Sequence, residues 1–320
     1  FRSACKPFAI VCDSTCDLPP EIISRLEVVY VPLGVEIAGR VLMDGADRDE
    51  AVALLGRRKS GRIELLSKER LLDIYRCLID EGYDRIVTVC SSLMNTGSWN
   101  AAEEAAAELS DAAHMLRTVD AGVSSVGLGM VVERLAMARE AGVGFDEAIA
   151  RSRAFAREVR VLFIPEASSP FIRGNLRSRK SGIMAKASSL RLRVVGERTL
   201  FLMARGESTA LARSTDLSDL CGHAAHAMSS ISAQEGELVH AVIGMGGSKA
   251  LRALEKPLDT NEFCSTMLGR GLISPSILAS VGPDAAGVAF APRKAYMEAG
   301  AGRLLPKGIV YTKLATNTTN

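Results

Sequence analysis

The chain has 320 residues, 48% hydrophobic and 24% charged, with a formal net charge of +2. Such values are ordinary for a globular protein, and the length can form two modest domains or one large one. So small a charge does not by itself argue for nucleic acid or a membrane surface. No apolar run approaches the roughly 18 residues of a membrane span, and no signal peptide with a cleavage site is visible. Seven cysteines, an odd number without paired spacing, suit a reducing compartment, so a cytoplasmic protein is expected.

In chain order, "FAIVC" (8–12), "VVYVPLGVEI" (28–37), "RIVTVC" (85–90) and "MLRTV" (115–119) predict strands: short, Val/Ile-rich and continuous, as in a largely parallel sheet covered on both faces. Helices are expected between them. "SKERLLDIYRCLIDEG" sets Leu71, Tyr75, Leu78 and Ile79 on one stripe, with Ser67 as N-cap and Gly82 near the stop. "WNAAEEAAAELS", "SSVGLGMVVERLAMAREAG" and "FDEAIARSRAFAREV" complete the first half. Strand and helix in alternation predict an α/β fold.

The second half is less regular. "VRVLFI" (159–164) reads as a strand, and "LRLRVV" (190–195) is expected to pair with "TLFLMA" (199–204). A helix over 216–234, a strand "ELVHAVIG" (237–244), a helix after "GGS" and a strand "GVAF" (287–290) follow. The expected division is an N-terminal α/β domain at 1–158, a C-terminal α/β domain at 159–290 and a tail at 291–320. From Arg151 to Arg213 there are 14 Lys/Arg against 4 Asp/Glu. That bias suits a solvated basic face, a dock for an acidic partner, or help for an anionic ligand, with nucleic acid the weaker reading.

Polar turns follow two of the strands. After Phe8–Cys12 come Asp13, Ser14 and Thr15, and Asp17 is expected to cap a helix with Pro19 and Pro20 in its first turn. After 85–90 come Ser91, Ser92, Thr96, Gly97 and Ser98. In parallel α/β sheets ligands gather at the carboxyl ends of strands, beside helix N-termini that attract anions, and Gly97 would let the backbone approach one. Cys12 and Cys16 have poor zinc spacing, and "CGHAAH" at 221–226 would need ligands from elsewhere. "GMGGSKAL" (244–251) satisfies neither the phosphate-loop nor the dinucleotide pattern and reads as a tight turn.

Five motifs in order make the chain resemble the DegV family of bacterial fatty-acid-binding proteins. They are "DSTCDLP" (13–19), "MDGADRD" (43–49), "TGSWNAA" (96–102), "VDAGVSSVGLGM" (119–130) and "SVGPDAAGVAF" (280–290). The resemblance covers roughly 8–290 and implies two α/β domains with a fatty acid between them. Its carboxylate would be held by hydroxyls near the "DST" and "TGS" loops, and its acyl chain would lie in an apolar tunnel. It also implies a protein that is not itself a catalyst but presents the lipid to a separate fatty acid kinase, with no cofactor and no metal. The ligand-binding residues so expected are Ser14, Thr15, Ser91, Ser92, Thr96, Gly97, Ser98, Arg177 (with Arg173 as the alternative), Ser280 and Gly282. The chain departs from the family at "IELLS" (63–67), where T-S-Q-P-[ST] is usual, and at Ser280 and Asp284, which replace a histidine and a glycine. Two rivals follow from the residues: a kinase or phosphotransferase subunit using the same pocket, and a regulatory protein that has lost its ligand.

Overall fold

The computed structural model describes residues 7–57, 60–93, 96–173, 196–259 and 263–305. The first half forms a four-stranded parallel sheet in the order β2-β1-β6-β7: β1 (Ala9–Asp13), β2 (Val29–Val31), β6 (Arg85–Cys90) and β7 (Met115–Asp120). Every residue of β1 is buried, as a continuous apolar run between two covered faces requires. The run 28–37 is not one strand. Pro32 has no N–H to continue a ladder, and beyond it the chain leaves for a small antiparallel sheet, β4-β3-β5, made of β3 (Gly34–Ile37), β4 (Arg40–Met43) and β5 (Gly61–Glu64).

Helix α1 spans Pro20–Arg25, α2 Arg48–Gly56, α3 Lys68–Asp80, α4 Thr96–Leu109, α5 Val126–Glu140 and α6 Phe145–Ala156. In α3, Ser67 caps as expected, accepting the Arg70 amide at 3.3 Å, and Leu71, Tyr75 and Leu78 are buried.

The second sheet has six strands in the order β10-β9-β8-β13-β11-β12. These are β8 (Arg160–Ile164), β9 (Arg198–Ala204), β10 (Glu207–Ser214), β11 (Leu238–Gly244), β12 (Ser265–Arg270) and β13 (Ala286–Pro292), all antiparallel neighbours except β11 and β12. The expected strand 190–195 lies outside the described residues; β9 pairs instead with β8 and β10. Helices α7 (Leu217–Glu235), α8 (Lys249–Asp259) and α9 (Pro275–Val281) fill the connections. The segment expected as a tail begins with the end of β13 and a packed helix, α10 (Arg293–Ala299), because Tyr296 and Ala299 are apolar anchors four residues or fewer apart and both are buried.

Helix α5 joins the two halves. It is buried from Val126 to Arg139 and touches β1 and β6 on one side and β11 and β13 on the other, which is why it lacks a polar stripe over its first two turns. Its "GLG" is a steric device. A Cβ on Gly127 would lie 2.7 Å from Val161 Cγ2 of the second sheet, and one on Gly129 would run into the Cys16 carbonyl of the first. Farther along, Tyr296 donates to Glu133 at 2.8 Å, with the Arg134 guanidinium 3.8 Å from its ring centre. Arg139 donates to the Phe8 carbonyl at 3.0 Å and also to that of Leu26.

Candidate lipid site

Between the second sheet, α9 and the turn that opens α5 lies a narrow apolar cavity of about 40 Å³. The second sheet lines it with Val161, Phe163, Met203 and Ile243, α9 and its approach with Ile273 and Ile277. Phe163 is held by Phe171 and Phe201, with ring centres 5.0 and 5.5 Å away. Among the described residues the wall carries two hydroxyl side chains, Ser124 and Ser125, from the turn that leads from β7 into α5.

Those two serines differ from their neighbours. Ser124 is buried and its Oγ has no hydrogen-bond partner among the described residues. Leaving a buried hydroxyl unpaired costs about 1–3 kcal/mol, so such a group in an otherwise apolar wall is a natural place for a polar ligand atom. Ser125 has φ +57 and ψ −145, a left-handed conformation that a residue with a Cβ avoids. Its Oγ donates to Asp17 Oδ2.

Asp17 knots the two halves together. It ends the short 3₁₀ turn Ser14–Cys16, itself with φ +51, and accepts the Ser274 amide on Oδ1 at 2.7 Å and the Leu272 amide on its backbone carbonyl at 2.9 Å. It does not cap α1, whose N-cap is Pro19 with no side-chain bond. Burial pushes its carboxyl up from 3.8 to about 7; the Ser125 and Ser274 bonds oppose that rise and the nearby Asp44 charge adds to it.

Below this knot lies a second cavity of about 250 Å³, lined by Ser14, Asp17, Tyr30, Asp44 and Arg48 among others. Burial raises the carboxyl of Asp44 while Arg48, 3.4 Å away, opposes it; burial also raises Asp13 against the Thr15 bonds.

Most of the hydroxyls expected from the sequence are committed to the chain itself. Ser14 Oγ accepts the Leu33 amide at 3.1 Å, and Thr15 Oγ1 donates to Asp13 at 2.5 Å. Ser92 binds Asp120 twice, through its amide at 3.1 Å and its hydroxyl at 2.5 Å. Thr96 is exposed and donates to the Ser92 carbonyl, and Ser98 Oγ accepts the Leu66 amide at 3.0 Å. Gly97 packs against Leu65: a Cβ there would lie 2.6 Å from Leu65 Cδ1. Ser91 is buried with a hydroxyl unpartnered among the described residues but is not part of the apolar cavity's wall. Ser280 is half-buried at the end of α9, and Gly282 closes that helix with φ +90, against Glu166. Arg177 lies outside the described residues. Asp284, the added carboxyl, pairs with Arg198 at 2.5 Å and accepts the Ala250 amide at the start of α8.

Cys12 and Cys16 are fully buried, and their mutual hydrogen bond, together with burial, pushes the Cys12 thiol well above its usual range, which suits packing rather than reactivity. Ser124, Ser125 and Ser274 were not singled out by their residue types; the visible signal was the serine pair directly before a helix in "VDAGVSSVGLGM".

A family model described as "Uncharacterised protein, DegV family" matches residues 7–293. The chain belongs to the DegV family. Its relatives include a DegV domain-containing protein of Caldanaerobacter subterraneus, 23% identical over 290 residues, covering 89% of this chain and 99% of the relative. Another, from Streptomyces coelicolor, is 35% identical over 144 residues, 44% of this chain and 50% of the relative. The match thus spans about half the length of several of these relatives. Solved DegV structures share the fold. A fatty-acid-binding DegV family protein from Thermus thermophilus aligns with TM-score 0.73 at 20% identity, over 89% of this chain and 99% of that one. A stearic acid-binding protein from Eubacterium ventriosum aligns with TM-score 0.74 at 18% identity, over 91% and 99%. DegV-family structures thus include proteins that bind fatty acids. Among the described residues no helix is long and apolar enough to cross a membrane.

Proposed function

We propose that this DegV protein binds a long-chain fatty acid or a similar lipid, with the acyl chain in the apolar cavity and the carboxylate at Ser124 and Ser125. The observation that carries the reading is the buried Ser124 hydroxyl, unpartnered among the described residues, in a wall that is apolar apart from it and Ser125. An alkyl chain gains about 0.8 kcal/mol per buried CH2, so most of the affinity comes from the cavity. The head group needs only a few hydrogen bonds to avoid an unpaired buried charge. Fatty acid binding by DegV relatives supports the same ligand class. In this reading the protein acts as a carrier rather than a catalyst and presents the carboxylate to a partner fatty acid kinase.

Freshly purified protein should release a fatty acid on denaturation and solvent extraction, at about one equivalent by mass spectrometry. No lipid, even after incubation with fatty acids, would overturn the proposal.

A further inference from the structure

Asp17 has no evident use in holding the two halves together as a charge. Its backbone carbonyl already accepts the Leu272 amide, and a neutral side chain could take the Ser274 amide equally well. What the carboxyl controls is Ser125. While Asp17 is ionised, the single Ser125 hydroxyl proton is directed to it and away from the cavity. If Asp17 holds a proton, the direction reverses: Asp17 donates to Ser125 Oγ, and the Ser125 proton is free to meet a ligand oxygen.

We propose that Asp17 is the proton-accepting partner of the lipid site, so that a fatty acid carboxylate binds together with one proton taken from solvent. The inference rests on the fatty-acid reading above and deepens it. The proton goes to Asp17 Oδ2, the Ser125 hydroxyl turns to the ligand, and no covalent bond to the lipid forms or breaks. The result is a chain Asp17–Ser125–carboxylate that carries one negative charge instead of two.

The surroundings favour that outcome. The charged and titratable groups facing Asp17 are Asp44 on the turn after β4, Arg48 on α2 and Tyr30 on β2; the first two turns of α5 and all of α9 carry none. One further carboxyl and one guanidinium therefore face it, and burial already places its own carboxyl near 7. A carboxylate added across Ser125 raises it further by like-charge repulsion.

The test uses the full chain stripped of lipid and titrated with palmitate from pH 6 to 8.5, with calorimetry in buffers of different ionisation enthalpy. The expected result is a Kd that is flat below about pH 7 and weakens toward tenfold per pH unit above it, with uptake approaching one proton at pH 8. Asp17→Asn, whose amide can donate permanently to Ser125, should bind at pH 8 as tightly as the native protein binds at pH 6.5, with no slope. Asp44→Asn should keep the slope and move it to lower pH. A flat Kd in the native protein, or a slope that survives Asp17→Asn, overturns the proton coupling while leaving the fatty-acid reading standing. No palmitate binding at any pH overturns both. If Asp17→Asn does not fold, the native slope, the proton count and the Asp44→Asn shift still decide.

Discussion

Two polar turns at the ends of parallel strands look alike in composition and behave differently. The turn after β6 carries several hydroxyls, and those of Ser92, Thr96 and Ser98 are all tied to Asp120 or to backbone groups. The turn after β7 carries two serines: one has no partner among the described residues and the other sits in a strained conformation bonded to a buried carboxyl. In the first turn those three shape the loop, and the unpartnered Ser91 hydroxyl lies away from the apolar cavity's wall. In the second the hydroxyls are held in reserve at the edge of an apolar cavity. Polar residues at strand ends thus indicate a ligand only when the loop itself does not consume them.

The largest way to sharpen this comparison is the pH dependence of stability. The Asp17 carboxyl is raised from 3.8 to about 7, so the native state holds a proton that the unfolded chain releases. Its contribution is fully present below about pH 4 and is lost as pH rises to about 7, a change on the order of 4 kcal/mol. Asp17→Asn should flatten urea-unfolding stability across that window and stabilise the ligand-free protein at pH 8; an unchanged curve would mean that Asp17 is not held protonated. Next is Gly129→Ala, which forces a methyl into the Cys16 carbonyl and pushes α5 from the turn that carries Asp17. It should cost about 3 kcal/mol of stability, read by thermal or denaturant unfolding. Ala285→Phe, a side chain grown into the cavity wall, should weaken palmitate binding by about 100-fold, or about 3 kcal/mol, seen by titration at pH 6.5. The smallest effect is Ser98→Ala. It leaves the Leu66 amide unpaired and should cost about 1 kcal/mol of stability while changing palmitate affinity less than twofold.

The parallel sheet was legible because β1, β6 and β7 are continuous apolar runs with polar turns behind them, and this pattern survives any packing detail. The second sheet was less so. β10 alternates exposed and half-buried residues, and β12 is short and polar at both ends; each is an edge strand whose identity depends on its neighbour. The run 28–37 reads as one strand because apolar content outweighs a single proline in the pattern, whereas in three dimensions Pro32 decides. Within the site, the serine pair at 124–125 was visible as part of a motif. Which hydroxyl stays free was not, because it depends on bonds between residues far apart, such as Ser125 with Asp17 and Ser98 with Leu66. Asp17 was misread for the same reason: as a sequence neighbour of Pro19 it looks like a cap, but its partners lie 108 and 257 positions away.

The most direct measurement is the NMR spectrum of palmitate carrying ¹³C at its carboxyl carbon, bound to the native protein and to two variants. A carboxylate seated on the turn after β7 should shift its resonance on Ser124→Ala and leave it unmoved on Ser92→Ala. A resonance that moves with Ser92→Ala and ignores Ser124→Ala would place the head group on the turn after β6 and contradict the account.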